Sequence, residues 1–138
     1  MRHVVFRVAS ERFALPLEAV REVVLPQPPF ARVPRVSEAV RGVMNLRGRV
    51  MAVVDLAALM GLPAQPLGEG VGQVLILDQG KRAIGFLIGA VLGVEPLEPP
   101  AEEARALVRG VVSGSAGAIT LLGADALLQA AVALFGER

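Results

Sequence analysis

The chain has 138 residues, of which 54% are hydrophobic and 20% are charged, so its length and composition suit a folded domain rather than a disordered segment. The 14 basic and 13 acidic residues leave a formal net charge of +1, which provides no general attraction to nucleic acid or to an anionic membrane. Cysteine is absent, which excludes disulfides, thiol catalysis and thiolate metal sites.

The N-terminal segment predicts a β-hairpin followed by a short step and a third strand. The apolar run HVVFRV is followed by a polar turn at residues 9–11 and by a second apolar run. Arg7, Glu11 and Arg12 interrupt this segment, so it lacks the apolar core of a signal peptide. The longest uncharged apolar stretch, residues 83–94, is too short to span a bilayer. We therefore expect a soluble, cytoplasmic protein without direct membrane insertion.

The pattern of the first half of the chain recurs in the second half. Residues 3–23 and 74–94 align without a gap and share the order strand, polar turn, strand and step, with the second polar turn at residues 80–82. Residues 42–60 and 110–128 also align without a gap and share a second hairpin, and both begin with Gly-Val. Because the matched features occur in one order, the repeat predicts about five short strands in each half. Two small β-barrels are the expected result.

The repeat also predicts how the single domain, residues 1–138, is organised. The expected subdomains are residues 1–66 and 67–138. Residues 61–72, GLPAQPLGEGVG, have the glycine and proline content of a linker or an exposed loop between them.

The remaining segments complete the predicted elements. Residues 26–39 are too rich in proline for a central strand, and the matching segment 95–108 is expected to hold one helical turn after Pro100. Residues 50–54 are apolar at every position, so this strand is expected to be covered on both faces. A C-terminal helix over about residues 124–135 has one apolar stripe, which predicts that it packs on the barrels.

The sequence contains no pattern that predicts catalysis. His3 is the only histidine, and we interpret it as a surface or strand-end residue. Asp55 stands between a strand and the helical run LAALM, which is typical of a helix N-cap, and Asp78 is interpreted as a turn former. A metal site would have to use carboxylates alone, and no Asp-rich loop is present. The sequence therefore predicts a protein that is not an enzyme and that has no catalytic residue, no bound metal and no cofactor.

Arginines surround a glycine in the stretch RGVMNLRGRVMAVVDL, residues 41–56. Arg41, Arg47 and Arg49 are compatible with an anion site, but nothing aromatic lies between them, so a base-stacking surface is not expected. Arg47 is equally compatible with a solvated turn or with an ion pair. Glu22, the carboxylate in the apolar segment VREVVL, is the natural partner for such a pair.

The same stretch resembles the signature of the CheW-like domain family, in which a hairpin of the form G-V-x-N-L-R-G precedes a strand that ends in V-D-L. Two further segments, HVVFRVASERFALPLEAVREVV and GQVLILDQGKRAIGFLIGAVLGVEPL, resemble the hairpins and following strands of the two halves of that family. The resemblance implies a mainly β fold of two five-stranded SH3-like barrels that share a hydrophobic core, with short helices including a C-terminal one.

The resemblance also implies a non-enzymatic adaptor. Members of the family couple the cytoplasmic helical tips of chemoreceptors, the methyl-accepting proteins, to the regulatory domain of a CheA-type histidine kinase. Glu22 matches the strand glutamate that faces the signature arginine in the family. The residues that match the structural signature are Glu22, Asn45, Leu46, Arg47, Gly48 and Asp55.

Two sets of partner contacts follow from the resemblance. We expect the kinase to contact Arg49 and Met51, because the signature leaves these positions variable. The receptor helix is expected in a groove between the subdomains, lined by apolar residues that match the family's groove positions. These residues are Leu17, Val20, Val91 and Val94.

The sequence departs from the family pattern in three places. Ala52 stands where the family often has proline, Gly89 replaces an aspartate that commonly opens a strand of the second half, and residues 96–109 form a shorter segment than in many members. The short segment is compatible with a pilus-motility pathway instead of flagellar chemotaxis. Functions from other classes remain open at this point: a small hydrolase or nucleotide-binding protein that uses Asp55, Asp78 and the arginines, or an RNA-binding β-barrel.

Overall fold

The computed structural model describes residues 1–78, 84–99 and 106–136, and within these residues ten strands form two five-stranded sheets. The elements of the first half are β1 (Arg2–Val8), β2 (Glu11–Pro16), a 3-10 turn (Leu17–Ala19), β3 (Val20–Val24), β4 (Val40–Leu46), β5 (Arg49–Asp55) and α1 (Leu56–Leu59). Those of the second half are β6 (Gln73–Leu77), β7 (Ile84–Ile88), β8 (Ala90–Pro96), β9 (Val108–Gly114), β10 (Gly117–Leu122) and α2 (Ala124–Gly136). The expected turn at residues 80–82 and the expected helical turn after Pro100 lie outside the described residues.

The two sheets have the same topology. The strand order is β8-β1-β2-β10-β9 in one sheet, here called the β1 sheet, and β3-β6-β7-β5-β4 in the other, the β6 sheet. Replacing each strand of one order by its equivalent in the repeat gives the other order. Neighbouring strands are antiparallel except for the pairs β2–β10 and β5–β7, which are parallel and also equivalent. The mainly β fold with two five-stranded sheets and a C-terminal helix is therefore confirmed.

The halves of the sequence exchange their first hairpins. The β1 sheet combines β1 and β2 with three strands of the second half, and the β6 sheet combines β6 and β7 with three strands of the first half. The sheets therefore do not follow the boundary expected near residue 66. Residues 61–72 connect two halves that each contribute strands to both sheets.

Irregularities in strand pairing repeat as well. An extra residue interrupts the register at Arg21 in β3 and at Leu92 in β8, which are equivalent positions of the first repeated block. Another interrupts it at Arg41 in β4 and at Arg109 in β9, which both directly precede the Gly-Val pair that opens the second repeated block. Because β-bulges bend and twist a strand at a defined place, their recurrence shows that both sheets are shaped by the same local rules.

A hydrophobic core lies between the sheets and is shared by them. Phe6 and Phe13 of the β1 sheet stack with ring centroids 6.2 Å apart, and they belong to the same buried cluster as Phe86 of the β6 sheet. Leu127 and Ala131 of α2 complete this cluster, so the helix packs on the core as expected. Burial of this many large apolar side chains is the dominant stabilising term of the fold.

Each sheet also buries a second apolar cluster. In the β1 sheet it consists of Val5, Ala14, Leu97, Ile119 and Leu121. In the β6 sheet it consists of Met44, Met51, Val53, Val74, Ile76 and Leu87. Neighbouring residues such as Val53 and Val54 belong to different clusters, because successive side chains of a strand point to opposite faces. The apolar run of residues 50–54 thus belongs to a strand that is buried on both faces at Val53 and Val54, whereas Val50 near its start is exposed.

Candidate protein-interaction site

The hairpin between β4 and β5 has a two-residue turn, Arg47-Gly48, with Leu46 paired to Arg49. Arg47 has φ of 50° and Gly48 has φ of 83°, which is the backbone of a type I′ turn. Asn45 fixes this turn, because its Oδ1 accepts a hydrogen bond from the Gly48 N–H at 2.9 Å. Glycine suits the second position, but arginine at the first position carries a strain of about 1–2 kcal/mol.

Arg47 and Glu22 form the ion pair that the sequence suggested, with Nη2 donating to Oε2 at 2.6 Å. Glu22 lies on β3 and Arg47 follows β4, and these two strands are the opposite edges of the β6 sheet. The pair therefore joins the edges of the sheet and helps to close it into a barrel. The side chain of Arg47 is 65% exposed and that of Glu22 is 31% exposed, so the pair is largely open to solvent. Exposed pairs contribute about 0–1 kcal/mol.

Asp55 is a buried structural hub. Its Oδ1 accepts the Ala57 N–H at 3.1 Å, which caps α1 as the sequence predicts. Its Oδ2 accepts the Gln65 N–H at 3.1 Å and pairs with Arg41 Nη1 at 3.0 Å. Arg41 also donates to the Gln65 carbonyl at 2.7 Å, which ties the connecting segment to β4 and β5. Arg41 is thus committed to Asp55 rather than to an anion site with the turn arginines.

The β1 sheet has a second polar contact between its edges, which the sequence reasoning missed. Glu95 on β8 accepts the Ser115 N–H at 3.0 Å and the Ser115 hydroxyl at 2.9 Å. The backbone hydrogen bond first, and the hydroxyl second, hold the pKa of Glu95 below the usual glutamate value. Ser115 falls opposite Arg47 when residues 110–128 are aligned with residues 42–60, so the repeat carried the signal that this turn matches the signature turn.

The structure separates the two residues expected to contact the kinase. Arg49 is exposed at the end of the hairpin. Met51 is buried in the second cluster of the β6 sheet, so the expectation that its side chain contacts the kinase directly is wrong. The pairing of Leu46 with Arg49 sets the alternation of β5, which turns Met51 inward and leaves Val50 exposed. The exposed apolar residue of this hairpin is therefore Val50.

The four residues expected to contact the receptor lie on or beside two equivalent edge strands. Val20 on β3 and Val91 on β8 are partly buried and pack against the shared core. Leu17 is partly buried in the 3-10 turn, and Val94 is exposed on β8. Val20 and Val91 thus pack against the same core from the two sheets, and the groove between them stays a prediction.

The remaining polar candidates have structural partners. His3 lies near the start of β1, as the strand-end interpretation has it, but it is buried and not on the surface; its Nδ1 lies 3.1 Å from the Met1 carbonyl. Asp78 pairs with Arg21 at 3.0 Å on the surface. No cluster of three or more His, Cys, Asp or Glu side chains suited to a metal ion occurs in the described part of the chain. Neither helix in that part is long and apolar enough to cross a membrane.

Comparisons with known proteins agree with the fold. A family model described as the CheW-like domain matches residues 2–132. The chemotaxis protein CheW of Rhizobium meliloti is 32% identical, over 90% of this chain and 84% of the relative. Protein PilI of Pseudomonas aeruginosa is 31% identical, over 65% of this chain and 49% of the relative. The crystal structure of the scaffolding protein TtCheW from Thermoanaerobacter tengcongensis has a TM-score of 0.71 and 26% identity, covering 88% of this chain and 87% of that one.

Proposed function

This chain belongs to the CheW-like domain family of chemotaxis scaffold proteins, and we propose that it couples the cytoplasmic helical tips of chemoreceptors to the regulatory domain of a CheA-type histidine kinase. The match of the family model over residues 2–132 is the observation that carries the proposal. The proposed role is that of an adaptor and not of an enzyme, in line with membership of a scaffold family.

We assign the kinase contact to the β4–β5 hairpin. Its turn is held by Asn45 within the hairpin and by Glu22 from the opposite edge strand, so the turn is presented in one conformation. Arg49 and Val50 are exposed beside that turn and offer a charge and an apolar side chain. A rigid, partly apolar surface of this kind loses little entropy on binding, which favours recognition by another folded domain.

We assign the receptor contact to the groove that we propose between β3 and β8. Val20 and Val91 form its floor, with Leu17 and Val94 beside them. These apolar side chains suit the ridge of a receptor helix, a common mode of peptide recognition. Val23 and Leu92 are exposed on the same two strands and extend the apolar surface.

A matched pair of variants tests the kinase contact. Val50 and Val111 are both 63% exposed, the first on the β4–β5 hairpin and the second on β9. We expect Val50→Glu to weaken binding to the isolated kinase regulatory domain by about tenfold or more in calorimetric titration, equivalent to about 1.4 kcal/mol. Val111→Glu is the control and should bind normally. If both variants bound the kinase domain with the affinity of the wild-type chain, the assignment of the kinase contact to this hairpin would be wrong.

A second candidate is an adaptor of a pilus-motility chemosensory pathway, which the similarity to PilI of Pseudomonas aeruginosa favours. The two candidates share the mechanism and differ in the partner kinase. Titration against the regulatory domains of a chemotaxis kinase and of a pilus-motility kinase from the same cell separates them, since the native partner should bind more tightly. A thermal shift with nucleotides or RNA, without kinase binding, would instead indicate a small nucleotide- or RNA-binding protein.

A further inference from the structure

The two equivalent groove residues, Val20 and Val91, are held by different backbone contacts. In the first half, the Val20 N–H donates to the carbonyl of Leu17, which closes the 3-10 turn before β3. In the second half, only Gly89 separates β7 from β8, and no such turn fits between these two described strands. Gly89 is drawn against β1 instead, because its N–H donates to the Arg7 carbonyl at 2.8 Å. The second half therefore lacks the local acceptor that serves Val20.

Gln73 supplies the missing acceptor from the other sheet. Its Oε1 accepts the Val91 N–H at 2.8 Å. Gln73 begins β6 in the β6 sheet, whereas Val91 lies on β8 at the edge of the β1 sheet. Since β1 is the one neighbour of β8 among the described strands, this hydrogen bond attaches the outer side of β8 to the opposite sheet. The repeat does not duplicate the contact, because the residue equivalent to Gln73 is the exposed Arg2.

We propose that Gln73 is a positioning residue for the receptor groove, which it serves by fixing Val91 on one sheet relative to Val20 on the other. This inference rests on the proposed function. Gln73, Gly89 and Ala90 also line a cavity of about 500 Å³ at this junction. Without the Gln73 amide, water in that cavity can satisfy the Val91 N–H, so the main loss is the fixed position of β8 rather than stability.

The experiment compares Gln73→Met, which keeps side-chain volume but removes the amide acceptor, with Gln73→Glu, which keeps an accepting oxygen. Gln129→Ala on the exposed face of α2 is the control. Amide hydrogen exchange at Val91 and affinity for a purified receptor-tip fragment are measured for each folded variant. Gln73→Met should speed Val91 exchange and weaken receptor binding by about three- to tenfold, the range for one ordinary hydrogen bond. Gln73→Glu and the control should remain close to the wild-type chain.

Unchanged Val91 exchange in Gln73→Met would overturn the proposal, and so would equal losses of affinity in Gln73→Met and Gln73→Glu. Faster Val91 exchange in Gln73→Met with unchanged receptor affinity would support the hydrogen bond in the wild-type chain but overturn its role in receptor binding. Failure of the proposed function gives a different result, in which the wild-type chain itself has no measurable affinity for the receptor tip.

Discussion

Ser115 and Glu95 join the opposite edges of the β1 sheet, as Arg47 and Glu22 join those of the β6 sheet. In both cases a glutamate on the strand that follows the first hairpin reaches the turn of the second hairpin. The chemistry differs, since one contact is an ion pair and the other a pair of hydrogen bonds to a carboxylate. The signature arginine is therefore one of two solutions that this chain uses to close a barrel.

The Glu95 contact makes the β1 sheet sensitive to acid. Its pKa is lowered in the folded chain from the ordinary glutamate value of 4.5, so the contact stabilises the fold above that value and is lost as pH falls through the lowered pKa. We expect Ser115→Ala to raise the pKa of Glu95 without restoring it fully, because the Ser115 backbone N–H still donates. Carbon-13 NMR titration of the Glu95 carboxyl measures this. Ser113→Ala, on an exposed serine nearby, is the control, and an equal shift in both variants would contradict the assignment.

The Arg47–Glu22 pair should couple weakly because Arg47 is mostly exposed. A double-mutant cycle with Arg47→Ala and Glu22→Ala in urea denaturation should give a coupling free energy below about 1 kcal/mol, and added salt should reduce it. Strict additivity would mean that the two side chains do not interact in solution. A coupling of about 3 kcal/mol or more would indicate a desolvated pair.

The left-handed backbone of Arg47 has its own effect on stability. Arg47→Gly and Arg47→Ala both remove the ion pair, but only glycine relieves the strain of a φ of 50°. We therefore expect Arg47→Gly to be more stable to unfolding than Arg47→Ala by about 1 kcal/mol. If the urea denaturation curves of Arg47→Gly and Arg47→Ala had equal midpoints and slopes, the turn would have to change its conformation when arginine is lost.

Asp55 and Asp78 form a natural comparison, since each pairs with an arginine at 3.0 Å and their side chains are 1% and 62% exposed. In Asp55→Asn, the buried side chain faces two donors, Arg41 and the Gln65 N–H. It can offer them either its N–H₂ group, which cannot accept, or its amide oxygen, which accepts more weakly than a carboxylate. We expect a loss of about 3 kcal/mol in the free energy of unfolding, against less than about 1 kcal/mol for Asp78→Asn. Similar losses in both variants would contradict the role of Asp55 as a hub.

The groove assignment predicts that binding and stability respond separately to substitution. Val94→Ser should leave the melting temperature nearly unchanged, because Val94 is exposed, whereas Val20→Ser should lower it because Val20 packs against the core. Both should weaken binding to a receptor-tip fragment by about tenfold. Val111→Ser, an exposed valine away from the groove, is the control. Normal receptor binding by both groove variants would exclude this groove.

Local patterns in the sequence predicted the strands, the hairpin turns and the N-cap at Asp55, because these depend on residues that are close along the chain. The kinase contact expected at Met51 rested on the family signature, and the sequence could not correct it. Val50, Met51 and Ala52 are all apolar, so their alternation between faces cannot be recognised without the strand register. The exchange of hairpins between the two sheets could not be predicted from the sequence either. The two halves have the same pattern, so either hairpin satisfies the local requirements of either sheet.

That exchange has a consequence for how the protein is made. The β1–β2 hairpin is synthesised before the other strands described here, yet its neighbours β8 and β10 belong to the second half of the chain. Neither sheet has its full set of strands until the second half has left the ribosome, so folding depends on contacts between residues that are distant in sequence and is expected to be slow. Cleavage in residues 61–72 would yield two fragments that need each other's hairpins. We therefore expect the chain to unfold as one cooperative unit, although it is built from a repeat.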